Sequence, residues 1–381
     1  MDFIVGTFRH SLLYTLTFTP PSTLTIKRIS EAVGGHSWLA LSPNHKFLYT
    51  TCWTSPPQVA SYDLSSDKPK PINTAPVATL SGYVTVTPDA RYLISVGGPG
   101  GEVFALEANG SIGECVQTLH FRKTGNENQG QRIGVAHGDF GGLRHGAHSV
   151  DISPDGKMAW VADIGANCIW SLSIPESHTS SIYQGAKVQV LEEMQQYISP
   201  RPTDGPRHTF PHPNGKVLYS VQEHSSMVDA FSLAVNGTIE HHLSGVKIIP
   251  EDKDPKDYWA DEVRLSRTSS PPKYLYASTR GLEKRTKGYV AVFRLDDKGQ
   301  IDGEVLDMYE TETSGGLANA VEPAPNGGDG VEYIALTDSE EGFVFVLSFH
   351  ETEGRLKEVA RVKLGENDEG KVIGAATAIW L

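Results

Sequence analysis

Over most of the chain, apolar and polar residues alternate with a period of two, the spacing of half-buried strands rather than of helices. The alternating segments recur in a fixed arrangement: a strand, a Pro-Asn or Pro-Asp turn, a basic residue, then a second strand. LALSPNHKFLYTTCW, VTVTPDARYLISVGG, VDISPDGKMAWVADI and FPHPNGKVLYSVQE carry it most openly. Two further copies run from Val263 to Arg280, where SRTSSPP interrupts the turn, and from Ala320 to Ser339. After most copies a third strand follows, ending in an alternating run such as CIWSLSI, MVDAFSL, YVAVFRL or FVFVLSF. Only Ala186 to Ile198 offers a stretch that could hold a short helix.

The turns fall near Pro43, Pro88, Pro154, Pro213, Pro271 and Pro325. Strand–turn–strand units at such regular spacing are the signature of propeller blades. A seventh unit is divided between the ends of the chain. Ala375 to Leu381 reads as an innermost strand without followers, and Met1 to Thr7 with Leu12 to Phe18 as followers without an innermost strand. Joining them closes a ring and covers the edge that a linear array would expose. The expectation is therefore an all-β, seven-bladed β-propeller in a single domain over residues 1–381. An open sandwich or two stacked β-domains is the competing architecture.

Aligning the copies on the basic residue after each turn locates the side chains around the channel. Nine positions earlier stand Ser37, Gly82, His148 and Arg207. The matching sites are Glu262 in the fifth copy, with its turn taken as two residues longer, and Asn319 in the sixth. Seven positions later stand Trp53, Gly98, Ile164, Glu223, Arg280 and, by analogy, Ser339. Innermost strands lie side by side around the axis, so each set should form a ring, and both rings should open into one mouth. A cluster of arginines, carboxylates, a histidine and an amide is costly to bury without a function or mutual pairing. Inter-blade salt bridges, Arg207 with Glu223 or Arg280 with Glu262, are the bland alternative.

Charge and cysteine content narrow the setting. With 33 Lys and Arg against 46 Asp and Glu, the net charge of −13 argues against nucleic acid or an anionic membrane as partner. Any arginine pair meeting an anion must do so locally, against that field. No apolar run is long enough to span a bilayer, and the opening residues lack the marks of a signal peptide. Cys52, Cys115 and Cys168 are few and widely spaced, which fits free thiols and a cytoplasmic setting. Asn109-Gly-Ser and Asn236-Gly-Thr read as hairpin turns. His137, His145 and His148 in HGDFGGLRHGAH, and the nearby His208 and His212, match no zinc spacing, and no metal is expected. The glycines of that stretch suggest a loop over the channel.

The segments GAHSVDISPDGKMAWVADIGANCIWSL and GPRHTFPHPNGKVLYSVQEHSSMVDAF resemble the lactonase-type seven-bladed propeller superfamily. That group holds bacterial 6-phosphogluconolactonases and the eukaryotic carboxy-cis,cis-muconate cyclases, also called 3-carboxymuconate lactonizing enzymes. FIVGTF, TSGGLANAVEP, ALTDSEEGFVFVLSF and the terminal AIW look closer to the cyclases, whereas PRHTF and STRGL read more like the lactonase branch. The resemblance implies a cofactor-free enzyme with His148, Arg207, Glu223 and Arg280 as catalytic residues. Glu262 and Asn319 are added as substrate-binding residues on register alone. The implied reaction closes a carboxymuconate to a lactone in aromatic-acid breakdown (the β-ketoadipate pathway). Hydrolysis of a sugar or phosphosugar lactone in the same pocket is the alternative, and a non-catalytic binding propeller is a third. The expected partner is a small anionic or lactone substrate, with self-association left open.

Overall fold

The computed structural model describes residues 1–121, 146–175, 189–328 and 330–381. These form seven four-stranded antiparallel sheets. Blades 1 to 6 follow chain order, with innermost strands Leu39–Leu41, Tyr83–Val86, Ala147–Ile152, Pro206–Pro211, Tyr258–Leu265 and Val321–Pro323. Blade 7 is the composite unit: its innermost strand Ala375–Trp380 pairs with Asp2–Thr7, matching Phe3 to Trp380 and Val5 to Ala378. Each innermost strand packs against the next all the way round, blade 7 against blade 1 included, so the ring closes. The chain is a seven-bladed all-β propeller. Its one helical element among the described residues is a single 3-10 turn at Pro255–Asp257. No helix is long and apolar enough to cross a membrane.

The apolar clusters lie between neighbouring sheets, where the alternating pattern turns one face of each blade onto the next. Trp160, Ile169, Leu218 and Phe231 seal blades 3 and 4; Tyr276, Val290, Leu336 and Phe345 seal blades 5 and 6. Outer strands add a polar clasp. Asn73 of blade 1 exchanges hydrogen bonds with both backbone groups of Ile112 in blade 2, at 2.7 and 2.9 Å. Gln195 of blade 3 does the same to Ile239 of blade 4, at 2.9 and 2.8 Å. That clasp accounts for a correction. Glu192–Ile198, inside the stretch with helical potential, is instead the outer strand of blade 3, because extended backbone lets it pair with Cys168–Ser173 and reach blade 4.

The Pro-Asn and Pro-Asp turns join innermost to second strands as expected. Asn109 and Asn236 sit in tight turns with left-handed glycines after them, Gly110 and Gly237. All three cysteines are free. The glycine-rich stretch expected to form a loop over the channel lies outside the described residues up to His145.

Candidate active site

Three consecutive blades share a local irregularity that builds the site. The pairing of innermost with second strand slips by one residue between Ala147 and Ser149, between Pro206 and His208, and between Ala260 and Glu262. Each slip is a β-bulge, and the extra residues are His148, Arg207 and Asp261. A bulge re-aims side chains that a regular strand would send to opposite faces. Arg207 with His208, and Asp261 with Glu262, consequently line one pocket at the channel mouth, of about 690 Å³ with its opening included. His148, Glu223 and Arg280 line it too, with Ser37, Trp38, Trp53 and Ile164 among its remaining walls.

The fifth blade corrects the register. Asp261, not Glu262, occupies the position equivalent to His148 and Arg207, since the long SRTSSPP turn adds three residues rather than two. Glu262 still reaches the pocket, one step deeper, at the level of His208. Asn319 departs further from its expected role as a substrate contact. Its side-chain amide donates to the Thr279 carbonyl at 3.1 Å and its backbone N–H donates to Asp261 Oδ2 at 2.8 Å. It is absent from the pocket wall and acts by holding Asp261. Ser339 accepts from Leu317 N–H at 2.6 Å and donates to the Gly315 carbonyl, so it fixes a wall loop.

Asp261 is the hub of the charged wall. Its Oδ1 lies 3.3 Å from Arg207 Nη2 and 3.2 Å from Arg280 Nε. Arg207 Nε lies 3.1 Å from Glu223 Oε2, and Arg207 Nη1 also donates to the Asp261 carbonyl. Arg280 Nη1 donates to the Gly316 carbonyl at 2.9 Å, and its guanidinium rests 4.9 Å from the Trp259 ring centre. The Coulombic contacts are short, yet Arg207 Nε, Arg280 Nε and Asp261 Oδ1 are buried without an aligned hydrogen-bond partner. The two Nε donors in that state are free to take a better-aligned acceptor from a ligand. A planar carboxylate is the ligand that a guanidinium fork matches best.

Below this wall runs a line of deeper groups. His208 Nε2 is 3.2 Å from His148 Nδ1, and His208 Nδ1 is 2.9 Å from Glu262 Oε1. Glu262 Oε1 also accepts from Arg264 Nη1 at 2.6 Å, and Arg264 Nε reaches Glu322 at 3.0 Å. Trp38 and Tyr83 stack at 4.0 Å, and His208 stands edge-on to both. Burial holds both His148 and His208 well below the usual imidazole range, and the Arg207 guanidinium adds to the effect. Burial pushes Glu262 up to about 7, against the opposing pull of Arg264.

Counting from the turns thus brings His148, Arg207, Glu223, Arg280 and Glu262 into one pocket. It misses His208 and Asp261. The available signal was the strand YWADEVRL, in which adjacent carboxylates interrupt a segment whose eight residues are all buried. His208 follows Arg207 directly, and an alternating strand would point it away; only the bulge brings it in.

Comparison with known proteins agrees with this architecture. The family model described as lactonase, 7-bladed beta-propeller, matches residues 2–367. Muconate cycloisomerase 1 of Cutaneotrichosporon cutaneum is 41% identical, over 100% of this chain and 98% of its own. The carboxy-cis,cis-muconate cyclase of Neurospora crassa is 28% identical, over 74% of this chain and 66% of its own. In fold, the periplasmic gluconolactonase of Pseudomonas aeruginosa matches with a TM-score of 0.77, over 99% of this chain and 98% of that one, at 18% identity. From the propeller ring and a family match across nearly its whole length, the chain belongs to the lactonase family of seven-bladed β-propellers, and it is an enzyme.

Proposed function

We propose that this enzyme is a cycloisomerase, independent of any cofactor, that closes 3-carboxy-cis,cis-muconate or a similarly charged muconate to a carboxymuconolactone. One observation carries the reading: Arg207 and Arg280 converge on a shared carboxylate in the pocket while their Nε groups lack aligned partners. Substrate carboxylates would take up those donors and displace the weaker pairings with Asp261 and Glu223. In the reaction one carboxylate oxygen adds to a conjugated double bond, and charge moves onto the carboxylate conjugated with it. A guanidinium already facing that carboxylate stabilises the charge as it grows, with little reorganisation. The relatives named for muconate chemistry support the same reading.

An ultraviolet assay that follows loss of the conjugated diene tests it. Arg207→Ala should lower kcat/KM by about a hundred- to a thousandfold, the scale of losing a charge-stabilising donor. Turnover equal to that of the unaltered enzyme would remove the role given to Arg207. A second reading, hydrolysis of a sugar lactone, is favoured by the balance of two arginines against Glu223 and Asp261, which suits a neutral ligand. Acid release from gluconolactone or 6-phosphogluconolactone far above the spontaneous rate, with no reaction on muconates, would establish it instead.

A further inference from the structure

Lactone closure turns one of the substrate's carboxylates into an ester and takes up one proton at carbon, so the pocket must hold a proton donor and reload it each turnover. The geometry points to a three-residue line, His148–His208–Glu262, in which Glu262 and His208 fix the tautomer of His148 and support its proton transfer. This deepens the cycloisomerase reading and rests on it for its catalytic part.

The tautomers follow from the donor set. Arg207 Nη1 lies 3.2 Å from His208 Nε2. A guanidinium has no acceptor, so His208 Nε2 must carry the lone pair and its proton sits on Nδ1. That proton points at Glu262 Oε1, 2.9 Å away, on a carboxylate anchored by Arg264 and by the Val263 N–H at 3.0 Å. His208 Nε2 has one lone pair, so the 3.2 Å contact with His148 is a donation from His148 Nδ1–H that shares that lone pair with Arg207 Nη1. His148 keeps Nε2 as its proton-accepting nitrogen, on a side chain that lines the pocket. Without such partners a neutral imidazole usually carries its proton on Nε2.

The charged groups around His148 are Arg207, Arg280 and His208, with Glu262 behind them, and both arginines disfavour a protonated ring. Burial is the larger cause that keeps the ring neutral and the two guanidiniums add to it, so a bound polycarboxylate, by neutralising the guanidiniums, removes the electrostatic part and favours proton uptake at His148 Nε2. The resulting imidazolium leans on His208 Nε2, and sharing its Nδ1 proton brings positive charge next to Glu262. When the carboxylate C–O bond forms and the π electrons shift onto the conjugated carboxylate, the Nε2 proton moves to the adjacent carbon. His148 returns to neutral, and the overall sum is substrate plus one proton to lactone. His148 is the group that touches substrate. His208 and Glu262 are positioning residues.

Nitrogen-15 NMR of histidine-labelled enzyme, without substrate, tests the tautomers directly. Both His148 and His208 should be Nδ1-protonated, and Glu262→Gln, which keeps an acceptor for His208 Nδ1–H while Arg207 still faces Nε2, should leave both tautomers in place and remove only the charge. In kinetics, His208→Gln and Glu262→Gln should lower kcat about a hundredfold while KM changes by less than about threefold, with a displaced pH profile. An Nε2-protonated His148 in the unaltered enzyme, or variants with unchanged kcat and pH profile, would overturn the relay. Failure to turn over any muconate would sink the functional reading, whereas the tautomers of the two histidines would still stand or fall by the NMR spectra.

Discussion

Asp151 shows what a single buried acid beneath this pocket does to the protein. It lies two residues beyond Ser149 on the innermost strand of blade 3, accepting from Tyr83 Oη at 2.8 Å and Thr209 Oγ1 at 2.8 Å. Burial pushes its carboxyl up to about 7, with Arg264 opposing and Glu262 reinforcing the shift. The folded chain therefore holds a proton that the unfolded chain has already released between the ordinary carboxylate range and neutrality. Its contribution to stability is present in full at low pH and is lost as pH climbs through about 7. Asp151→Asn keeps the shape without the titration. Melting temperatures across a pH series should show the variant gaining on the parent by several degrees as pH rises from about 5 to about 8. Parallel curves would mean that Asp151 is ionised throughout. The same residue scale explains why Glu262, raised for the same reason, needs Arg264 directly against it to remain a useful carboxylate.

At the scale of the element, the bulges depend on how one blade meets the next. The Gly98 carbonyl of blade 2 accepts from Ala147 N–H of blade 3 at 2.7 Å, and the Glu223 carbonyl of blade 4 accepts from Ala260 N–H of blade 5 at 3.0 Å. Both bonds fall immediately before a bulged residue and set the spacing from which His148 and Asp261 project. At Gly146 the approach is so close that an added Cβ would stand 2.0 Å from the Gly98 carbonyl oxygen. Gly146→Ala must push the two blades apart at the bond that carries His148. It should cost about 1–3 kcal/mol in urea unfolding, the scale of overpacking, and lower kcat of the folded enzyme. Unchanged stability and rate would show that the strand can shift without disturbing the pocket. The limit of sequence legibility lies at this scale. Period-two alternation and Pro-Asn turns are local signals, so Lys157 and Lys216 lead directly to His148 and Arg207. The count from Lys273 lands on Glu262 instead of Asp261 because the SRTSSPP turn is one residue longer than its pattern shows, and His208 is hidden behind Arg207 because a bulge cannot be read from alternation. Asn319 was placed at the correct height, but nothing in its surroundings along the chain showed that it would turn toward Thr279.

For the whole molecule, the ring stands or falls with the strand Ala375–Trp380. It supplies the innermost edge of blade 7, and Ala376 and Thr377 also line the pocket. Trp380 is 1% exposed, packs its ring 4.5 Å from that of Phe3, and donates Nε1–H to the Glu322 carbonyl of blade 6 at 2.9 Å. Thr337 of blade 6 donates to the Ala376 carbonyl at 2.7 Å. Removing residues 375–381 would strip the hydrogen bonds from one edge of Asp2–Thr7, leave the innermost strands of blades 1 and 6 without the strand between them, and open one wall of the site. An unpaired apolar edge of that kind recruits other chains. The truncated protein should therefore aggregate or melt well below the full chain and lack activity. A synthetic peptide of the sequence AATAIWL, added during refolding, should restore both the non-aggregated fold and part of the turnover, because the closing strand acts through pairing rather than chain connection. A truncated protein that melts and turns over like the full chain would show that the other blades hold the ring without it.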